Sequence, residues 1–249
     1  MASIEVSQLS KRFVLQHDQP KSLQDVALSL FRHRVRERHQ RHEEFWALSG
    51  ISFAIEPGES IAIIGRNGSG KSTCLKLLAG IMQPTSGFVK VQGRISALIE
   101  LGAGFHPELT GKDNVFVNGV ILGMTRNEIK RRFDEIVAFA ELEHFIDIPV
   151  KFYSSGMYLR LAFAIAINVN ADIMLLDEVL AVGDQSFQAK CLQRISELKR
   201  NGATIVFVSH DLNAVRTICQ RTIWLDRGKL RADNATEAVI ADYNKSSRS

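Results

Sequence analysis

The sequence has few cysteines, no long apolar run and no secretory leader, and each absence excludes a class of protein. Its three cysteines form no CxxC pair and no pairing pattern, which argues against a disulfide framework and predicts a reducing, cytosolic compartment. No apolar run approaches the ~20 residues of a membrane-spanning helix. The first residues include Glu5 and lack the apolar core of a leader. Whatever this protein does at a membrane, we therefore expect it to do from outside the bilayer.

A strong charge of either sign is also lacking. The chain carries a formal charge of +4, a mild excess that does not by itself indicate nucleic acid. We find no internal repeat and no low-complexity tract. With 249 residues, of which 45% are hydrophobic, the chain can bury a substantial core, and its length suits one α/β domain with a subdomain inserted.

Short strand-like segments recur along the chain with helical patterns between them. Several are continuous apolar runs, which are typical of strands covered on both faces. Residues 110–170 instead have a helical pattern, in which Thr125 and Glu128 form a T-x-x-E capping box. The segment Leu159–Ile167 is apolar nearly all round and predicts a buried helix. The predicted strands are Ile4–Val6, Ile51–Ile55, Ser60–Ile64, Val89–Val91, Ile95–Ile99, Ile173–Leu176, Thr204–Val208 and Thr222–Leu225.

The segment GRNGSGKS follows the predicted strand Ser60–Ile64 and matches G-x-x-x-x-G-K-[ST], a phosphate-binding loop. Its glycines let backbone N–H groups turn onto phosphate oxygens, and the helix that opens at Lys71 adds a favourable dipole. Lys71 is predicted to contact the β- and γ-phosphates, and Ser72 to bind Mg²⁺. The predicted nucleotide-binding residues are Gly65, Arg66, Asn67, Gly68, Ser69, Gly70, Lys71, Ser72 and Thr73.

A second motif, IMLLDE, ends an apolar strand with two acids. A buried strand that delivers a carboxylate at its C-terminal end is how such sites hold Mg²⁺, so Asp177 is the predicted metal-side acid. Glu178, the next residue, is placed to orient or deprotonate a water. An apolar strand that ends in Asp-Glu is weak evidence for a metal site by itself. The Lys71 loop makes that evidence strong.

The segment YSSGM, ahead of the predicted buried helix, resembles the L-S-G-G-Q signature of the ATP-binding cassette (ABC) family. Ser154 and Gly156 match that pattern, whereas Tyr153, Ser155 and Met157 depart from it. In the family this segment caps the γ-phosphate bound by the partner subunit, using a helix N-terminus and the serine hydroxyl. The resemblance therefore implies nucleotide contacts for Ser154, Ser155 and Gly156.

Three further positions match the family in order along the chain. Glu100 falls where a Gln usually lines the Mg²⁺ side and couples to the transporter. Asp184 matches the Asp of the loop that crosses the dimer, and His210 matches the switch histidine. The resemblance implies catalytic roles for Glu178 and His210, and a metal side formed by Ser72, Glu100 and Asp177.

The resemblance covers nearly the whole chain, from Ile4 to Leu230, and implies its fold and assembly. The fold would be an α/β, P-loop NTPase core of the ABC ATPase type, with a mixed sheet and an inserted helical subdomain. Two chains would form a head-to-tail dimer that holds two ATP molecules and Mg²⁺ between opposed loops and signatures.

An inserted segment separates two aromatic candidates for the adenine contact. Family members usually stack adenine on an aromatic residue just after the first strand, where Phe13 stands. Trp46 is a rival, because Val14–Glu44 is extra relative to the usual short connection, and loops beyond about 12–15 residues are usually functional or disordered. The inserted arginines are Arg32, Arg34, Arg36, Arg38 and Arg41.

The insertion, together with ALIELGAGFHPELTGKDN and YSSGMYLRLAFAIA, resembles ATPase subunits that export cell-envelope polysaccharides such as O-antigen and teichoic acid. This resemblance implies a homodimer on a dimeric membrane permease, at the cytoplasmic face of the inner membrane. The complex would handle a lipid-linked polysaccharide and no nucleic acid, with the inserted arginines contacting its anionic head group. We expect residues 1–249 to be one nucleotide-binding domain, ending in a helix at Thr236–Tyr243 without the carbohydrate-binding β-sandwich that some members carry.

Other functions stay open on the residues alone. An import-type cassette is the closest rival and is distinguished by lacking the 14–44 insertion. A nucleotide-binding interaction protein without catalysis would fit the degenerate signature, but Lys71 and Glu178 argue against it. A cassette acting on DNA or the ribosome would need coiled-coil arms or a second cassette, and the sequence shows neither. A GTPase would need an N-K-x-D motif, which the sequence also lacks.

Overall fold

The computed structural model describes residues 3–16, 42–99, 101–177 and 183–246. Its strands are β1 (Ile4–Gln16), β2 (His42–Ile55), β3 (Ser60–Ile64), β4 (Ser86–Val91), β5 (Ile95–Leu98), β6 (Ile173–Asp177), β7 (Thr204–Val208), β8 (Arg221–Asp226) and β9 (Lys229–Ala235). Its helices are α1 (Lys71–Leu78), α2 (Gly111–Ile121), α3 (Arg126–Ala140), α4 (Ser155–Ile167), α5 (Gln185–Arg200), α6 (Leu212–Ile218) and α7 (Thr236–Ser246), with a 3₁₀ turn at Val150–Phe152.

The core is a six-stranded sheet in the order β5-β6-β7-β3-β8-β9, parallel except for the β8–β9 pair. Strands β3 and β7 are buried at every residue, as their continuous apolar sequences predict for strands covered on both faces. In the register, Val208 pairs with Ile63 on one side and with Asp177 on the other. The carboxyl ends of β3, β6 and β7 therefore lie level at one edge of the sheet.

A separate three-stranded antiparallel sheet, in the order β2-β1-β4, packs over α1. Its first two strands are much longer than predicted, because β1 continues to Gln16 and β2 begins at His42. These two end residues pair with each other, so the edges of the predicted 14–44 insertion are strand. The remainder of the insertion, residues 17–41 with its five arginines, lies outside the described residues.

Helix α4 is apolar nearly all round because it is buried between two hydrophobic clusters. Phe163 and Ile167 belong to the cluster that also contains α5, α6 and α7 on one face of the core sheet. Leu161 and Ile165 belong to a second cluster, which contains α2 and α3 of the helical segment. The predicted buried helix is confirmed, although it begins four residues earlier than Leu159, at Ser155.

The capping box predicted for α3 is confirmed at the atomic level. The Glu128 carboxylate accepts from the Thr125 amide at 2.6 Å, and the Thr125 hydroxyl accepts from the Glu128 amide at 3.3 Å. These reciprocal bonds satisfy two backbone donors at the start of the helix, which fixes where α3 begins.

Strand β9 was not predicted, since KLRADNA is a poor strand sequence. It forms because Arg227 and Gly228 both adopt positive φ, 47° and 75°, which is the conformation of a two-residue hairpin turn. Arg221 also clamps β9 to β8 with two bonds of 2.6 Å to the Asp233 carboxylate. A strand that depends on a turn and one ion pair has little of the hydrophobic periodicity from which strands are predicted.

Two negative expectations can be compared with the described residues. Within them, no helix is long and apolar enough to cross a membrane. Cys74, Cys191 and Cys219 are buried free thiols, and burial raises the pKa of each to about 12. A thiol with so high a pKa is a poor nucleophile at neutral pH, which argues against cysteine chemistry.

Candidate nucleotide-binding site

The loop between β3 and α1 approaches its surroundings so closely that two of its glycines cannot carry a side chain. A Cβ on Gly65 would collide with the Leu225 carbonyl and the Ser69 hydroxyl, and one on Gly70 would collide with the Ala47 carbonyl. Both glycines also have positive φ, 153° and 102°. The loop thus packs closely against β8 and β2, and this packing restricts its backbone conformation.

Helix α1 opens at this loop, and no side chain among the described residues caps its N-terminus with a hydrogen bond. Its N-cap is Gly70, and the first intrahelical bond runs from the Cys74 amide to the Gly70 carbonyl at 2.8 Å. The amides of Ser72 and Thr73 lie in the first turn of the helix, ahead of that bond. The first turn contains no acid, so the helix dipole is available to an anion.

The Lys71 side chain lies inside the loop. Its residue is 6% exposed, and Nζ donates to the carbonyls of Gly65 and Arg66 at 2.8 and 3.2 Å. Among the described residues, the buried Ser69 hydroxyl has no hydrogen-bond partner. A buried cation, the backbone amides of a helix N-terminus and a buried hydroxyl in one loop fit the β- and γ-phosphates of a nucleotide.

Asp177 ends β6 at the same edge of the sheet as the loop. Two strand spacings separate it from Ile63, about 10 Å at 4.8 Å per spacing. Ser72, in the first turn of α1, supplies a hydroxyl on the loop side. In the part of the chain that the structure describes, no three acidic, His or Cys side chains group into a metal site. Ser72 and Asp177 fit Mg²⁺, which usually takes one or two protein ligands with phosphate and water completing its shell.

His210 follows β7 by two residues and is exposed at this edge. Its neighbours fix the backbone on both sides: the Ser209 hydroxyl accepts from the Asp211 amide at 3.0 Å, and Asp211 caps α6. The structure therefore brings the Lys71 loop, Asp177 and His210 to one edge. Glu100 and Glu178, the other predicted metal-side and catalytic acids, lie outside the described residues.

The loop that follows Glu100 is attached to α4 by Tyr158. The Tyr158 hydroxyl donates to the Gly102 carbonyl at 2.8 Å, and its ring lies so close that a Cβ on Gly102 would collide with it. Phe105 packs on the same ring, with 4.8 Å between centroids. Burial raises the pKa of Tyr158, so its phenol stays protonated and able to donate.

The predicted signature forms the start of α4. Ser154 is the N-cap, and its hydroxyl accepts from the Met157 amide at 3.2 Å. That hydroxyl keeps its own proton to donate, so it can cap the helix and contact a phosphate oxygen together. Ser155 is exposed, and a Cβ on Gly156 would meet only the Ser154 hydroxyl, at 3.8 Å. Among the described residues, no other heavy atom lies within 4 Å of that Cβ position.

The signature and the phosphate loop line different clefts. One cleft, of ≈ 620 Å³, is lined by the signature and by Arg160, Gly183 and Asp184. Another, of ≈ 390 Å³, is lined by Arg66 to Ser69 and by residues of β8, β9 and α7. Among the described residues these two clefts have no lining residue in common.

The register of the β1–β2 hairpin separates the two adenine candidates. Arg12 pairs with Trp46, and Phe13 pairs with Phe45. Since paired residues share a face and successive residues alternate, Phe13 and Trp46 lie on opposite faces. Trp46 is 44% exposed and Phe13 is half-buried. At most one of them can face a nucleotide on the loop.

Comparison with known proteins decides the family. A family profile described as "ABC transporter" matches residues 48–181, more than half of the chain. The O-antigen export system ATP-binding protein RfbB of Klebsiella pneumoniae is 42% identical over 242 residues, which cover 97% of each protein. The chain belongs to the ABC transporter family.

Two further relatives are longer than this ABC protein. The protein also named RfbB from Myxococcus xanthus is 53% identical over 199 residues, 80% of this chain and 46% of that protein. The teichoic acids export ATP-binding protein TagH of Levilactobacillus brevis is 42% identical over 242 residues, 97% of this chain and 64% of that protein. The chain thus spans about half to two thirds of the length of these two relatives.

Solved structures confirm the ABC ATPase fold. A dimeric ATP-binding cassette in a post-hydrolysis state, bound to ADP and Pi, matches with a TM-score of 0.72 at 24% identity, covering 94% of this chain and 98% of that one. An ATP-binding subunit of an ABC transporter matches with a TM-score of 0.74 at 21% identity, covering 97% and 93%. The predicted fold class, an α/β P-loop NTPase core with a mixed sheet, is therefore confirmed.

Sequence reasoning missed several residues that hold this ABC site together. Tyr158 and Arg160 follow the signature on α4 and connect it to Gly102 and Asp184. Asn114 is fully buried and bonds to the His106 amide at 2.7 Å, which fixes the loop ahead of α2. Asn114 could have been found from the sequence, because it is a polar residue on the buried face of a helix.

The hairpin register gives a prediction about adenine. Only one of the two aromatic residues, Phe13 or Trp46, is expected to stack on adenine. Replacing that residue by alanine should weaken ATP binding about 5- to 150-fold, since base–aromatic stacking contributes about 1–3 kcal/mol. The other variant should bind ATP normally, because its side chain lies on the opposite face. Titration with a fluorescent ATP analogue measures this, and inorganic triphosphate, which lacks the base, should bind all three proteins equally. Equal losses in both variants, or in neither, would contradict the assignment of adenine to this hairpin.

Proposed function

We propose that the chain is the ATPase subunit of an ABC exporter that moves a lipid-linked cell-surface polysaccharide, of O-antigen, capsule or teichoic acid type. This proposal rests mainly on one observation: the loop with buried Lys71, the Asp177 carboxylate and His210 lie at the same edge of the core sheet. The export relatives at 42% identity over 97% of the chain support the substrate class.

The proposed chemistry assigns a role to each residue at that edge. Lys71 and the α1 amides bind the β- and γ-phosphates, while Ser72 and Asp177, with Glu100, form the side that holds Mg²⁺. The metal would neutralise charge on the phosphates and orient them. Glu178 orients or deprotonates the attacking water, and His210 contacts the γ-phosphate. Catalysis then comes mainly from positioning and charge stabilisation.

A second copy completes each site in this proposal. In the part of the chain that the structure describes, the signature and Arg66 to Ser69 line separate clefts, and a Cβ on Gly156 would have only the Ser154 hydroxyl within 4 Å. Ser154, Ser155 and Gly156 of one copy would cap the γ-phosphate on the loop of the other. The dimeric form of a cassette with the same fold supports this arrangement.

The partner in the membrane would be a dimeric permease, with this chain peripheral on the cytoplasmic side of the inner membrane. Helix α2 carries three exposed apolar residues, Val117 at 39%, Val120 at 56% and Ile121 at 60%. Ile121 lies beside Gly104, in the loop that follows Glu100. Exposed apolar side chains next to a loop of the nucleotide site suit a surface that another protein covers.

We also propose the domain organisation on these grounds. Residues 1–249 form one nucleotide-binding domain, residues 110–170 its helical subdomain, and residues 14–44 an insertion in the β1–β2 hairpin. The insertion distinguishes an exporter from an import-type cassette, and its arginines would contact the anionic head group of the lipid carrier.

Export can be tested in the host cell. Deleting the gene should remove the surface polysaccharide and leave lipid-linked polymer on the cytosolic side. The wild-type gene should restore export, and a gene encoding Lys71→Ala, expressed at the same level, should not. Normal surface polysaccharide in the deletion strain would refute the proposed function.

A further inference from the structure

Three Asn-Gly pairs occur in the chain, at Asn67, Asn118 and Asn201. Asparagine is a labile residue, and a following glycine makes it more so, because glycine has no side chain to hinder attack by its own amide nitrogen on the asparagine side chain. That attack closes a succinimide ring and expels ammonia. A pair can therefore react only where the glycine nitrogen and the asparagine side chain are both accessible, and the three pairs differ in this respect.

The pair at Asn118 is closed to this reaction. Asn118 is 4% exposed, and its Nδ2 donates to the Ala103 carbonyl at 3.1 Å. Gly119 lies inside α2, where the helical hydrogen-bond pattern uses its amide. A Cβ on Gly119 would stand 2.8 Å from the Ile129 side chain, so the surroundings are also tightly packed. Ring closure would require α2 to open locally.

The pair at Asn201 is exposed, but its attacking nitrogen is engaged. Asn201 is the C-cap of α5, and the Gly202 amide donates to the Lys199 carbonyl at 3.0 Å. That hydrogen bond must break before the Gly202 nitrogen can attack. This pair is therefore expected to react slowly.

Asn67 and Gly68 are the two central residues of a turn in the phosphate loop. The Ser69 amide donates to the Arg66 carbonyl at 3.1 Å, and Gly68 has a φ of 77°, which is typical of the second central residue in a type II turn. The turn bond uses neither the Asn67 side chain nor the Gly68 amide, and within the described residues no other hydrogen bond engages either group. Both residues are exposed.

The charge around this turn also favours the attack. The turn lines a cleft of ≈ 390 Å³ that contains four charged side chains, three of them arginines: Arg66, Asp226, Arg227 and Arg231. An amide nitrogen attacks after it has lost its proton, and a positive surrounding potential stabilises the anion that results. Of the three pairs, Asn67-Gly68 alone combines exposure, an unengaged nitrogen in the described part of the chain and positive surroundings.

We propose that Asn67 is a modification site, where spontaneous deamidation inactivates a chain whose phosphate loop holds no nucleotide. The Gly68 nitrogen loses its proton and forms a bond to Asn67 Cγ, while the Cγ–Nδ2 bond breaks and ammonia leaves. Water then adds to either carbonyl of the succinimide and opens the ring, which yields aspartate or isoaspartate. One water is consumed and one ammonia released, with no other reactant.

Either product should oppose nucleotide binding. Each places a carboxylate in the loop where phosphates are proposed to bind, and isoaspartate also lengthens the backbone of the turn by one carbon. A bound nucleotide should in turn prevent the reaction, because its phosphate oxygens would accept from the loop amides and hold the turn. This protection rests on the proposed function, whereas the order of reactivity among the three pairs rests on the structure alone.

The test incubates the purified chain in mildly alkaline buffer, with and without a non-hydrolysable ATP analogue, and follows each asparagine by peptide mass spectrometry. Without the analogue, Asn67 should convert about 2- to 13-fold faster than Asn201, as expected from the net contribution of one hydrogen bond, and Asn118 should stay intact. ATPase activity should fall in proportion to the conversion of Asn67. The analogue at about 100 times its Kd should slow conversion of Asn67 about 100-fold, since only unbound chains react, and leave Asn201 unaffected.

Two matched variants separate the sites, because ring closure from glutamine is slower. Asn67→Gln should keep its own starting activity throughout the incubation, whereas Asn201→Gln should lose activity as fast as the wild type. The proposal would be overturned if Asn201 or Asn118 converted before Asn67, or if activity fell while Asn67 stayed intact. It would also be overturned if an analogue shown by titration to be bound failed to slow the conversion. An analogue that does not bind would instead count against the proposed function.

Discussion

Replacing Glu178 by Gln should slow ATP hydrolysis by about 10²- to 10⁴-fold, the usual contribution of a general base, without weakening ATP binding. Gln keeps the shape of the side chain and loses the carboxylate that would activate the water. The loop around Lys71 and the Asp177 carboxylate are unchanged, so nucleotide and Mg²⁺ should still bind. Because ATP is no longer consumed, a dimer trapped with ATP should accumulate. Phosphate release measures the rate, and light scattering measures the dimer.

Asp172→Asn is a suitable control for that variant. Asp172 directly precedes β6, at the opposite end of the strand from Glu178, and its carboxylate accepts from the Arg94 amide at 2.8 Å. Asn can accept the same bond, so this variant should hydrolyse ATP at the wild-type rate. If Glu178→Gln also hydrolysed ATP at the wild-type rate, Glu178 would have no part in activating the water.

Replacing Lys71 by Ala should weaken ATP binding about 10- to 150-fold, since hydrogen bonds to charged groups contribute about 1.5–3 kcal/mol, and should abolish turnover. The buried ammonium is the positive charge at the centre of the loop, and its bonds to Gly65 and Arg66 keep it there. Fluorescence titration with an ATP analogue measures the affinity, and calorimetry checks the fold. Unchanged affinity in a folded Lys71→Ala protein would remove Lys71 from the site.

Lys76→Ala is the matched control for Lys71→Ala. Lys76 lies in the last turn of α1, so the two variants remove the same charge from the same helix at opposite ends. Lys76→Ala should bind and hydrolyse ATP normally. A comparable loss in both variants would indicate that helix stability, and not phosphate contact, explains the result.

The parallel core was predictable because its strands carry their own signal. Ser60–Ile64 and Thr204–Val208 were predicted at their observed bounds, since each is an uninterrupted run buried on both faces. The outer halves of β1 and β2 were missed because charged residues such as Arg12 and Glu44 interrupt the pattern. Those halves depend on pairing across the hairpin, where Arg12 and Glu44 form an ion pair at 2.7 Å.

The same distinction applies to the site. The phosphate loop and the acid at the end of β6 follow local sequence rules, so their residues could be named in advance. The connections made by Tyr158 and Arg160 could not, since their partners Gly102 and Asp184 lie 56 and 24 residues away. A single sequence does not indicate which distant residues contact each other, and Tyr158 and Arg160 have no feature that distinguishes them from ordinary helix residues.

The central claim is that ATP is hydrolysed at sites shared between two copies of the chain. The most direct measurement is the rate of hydrolysis per chain at saturating ATP, followed from dilute to concentrated protein. Shared sites predict a rate per chain that rises with concentration and levels off as dimers form, with light scattering showing the dimer over the same range. A constant rate per chain, with only monomer present throughout, would contradict the account.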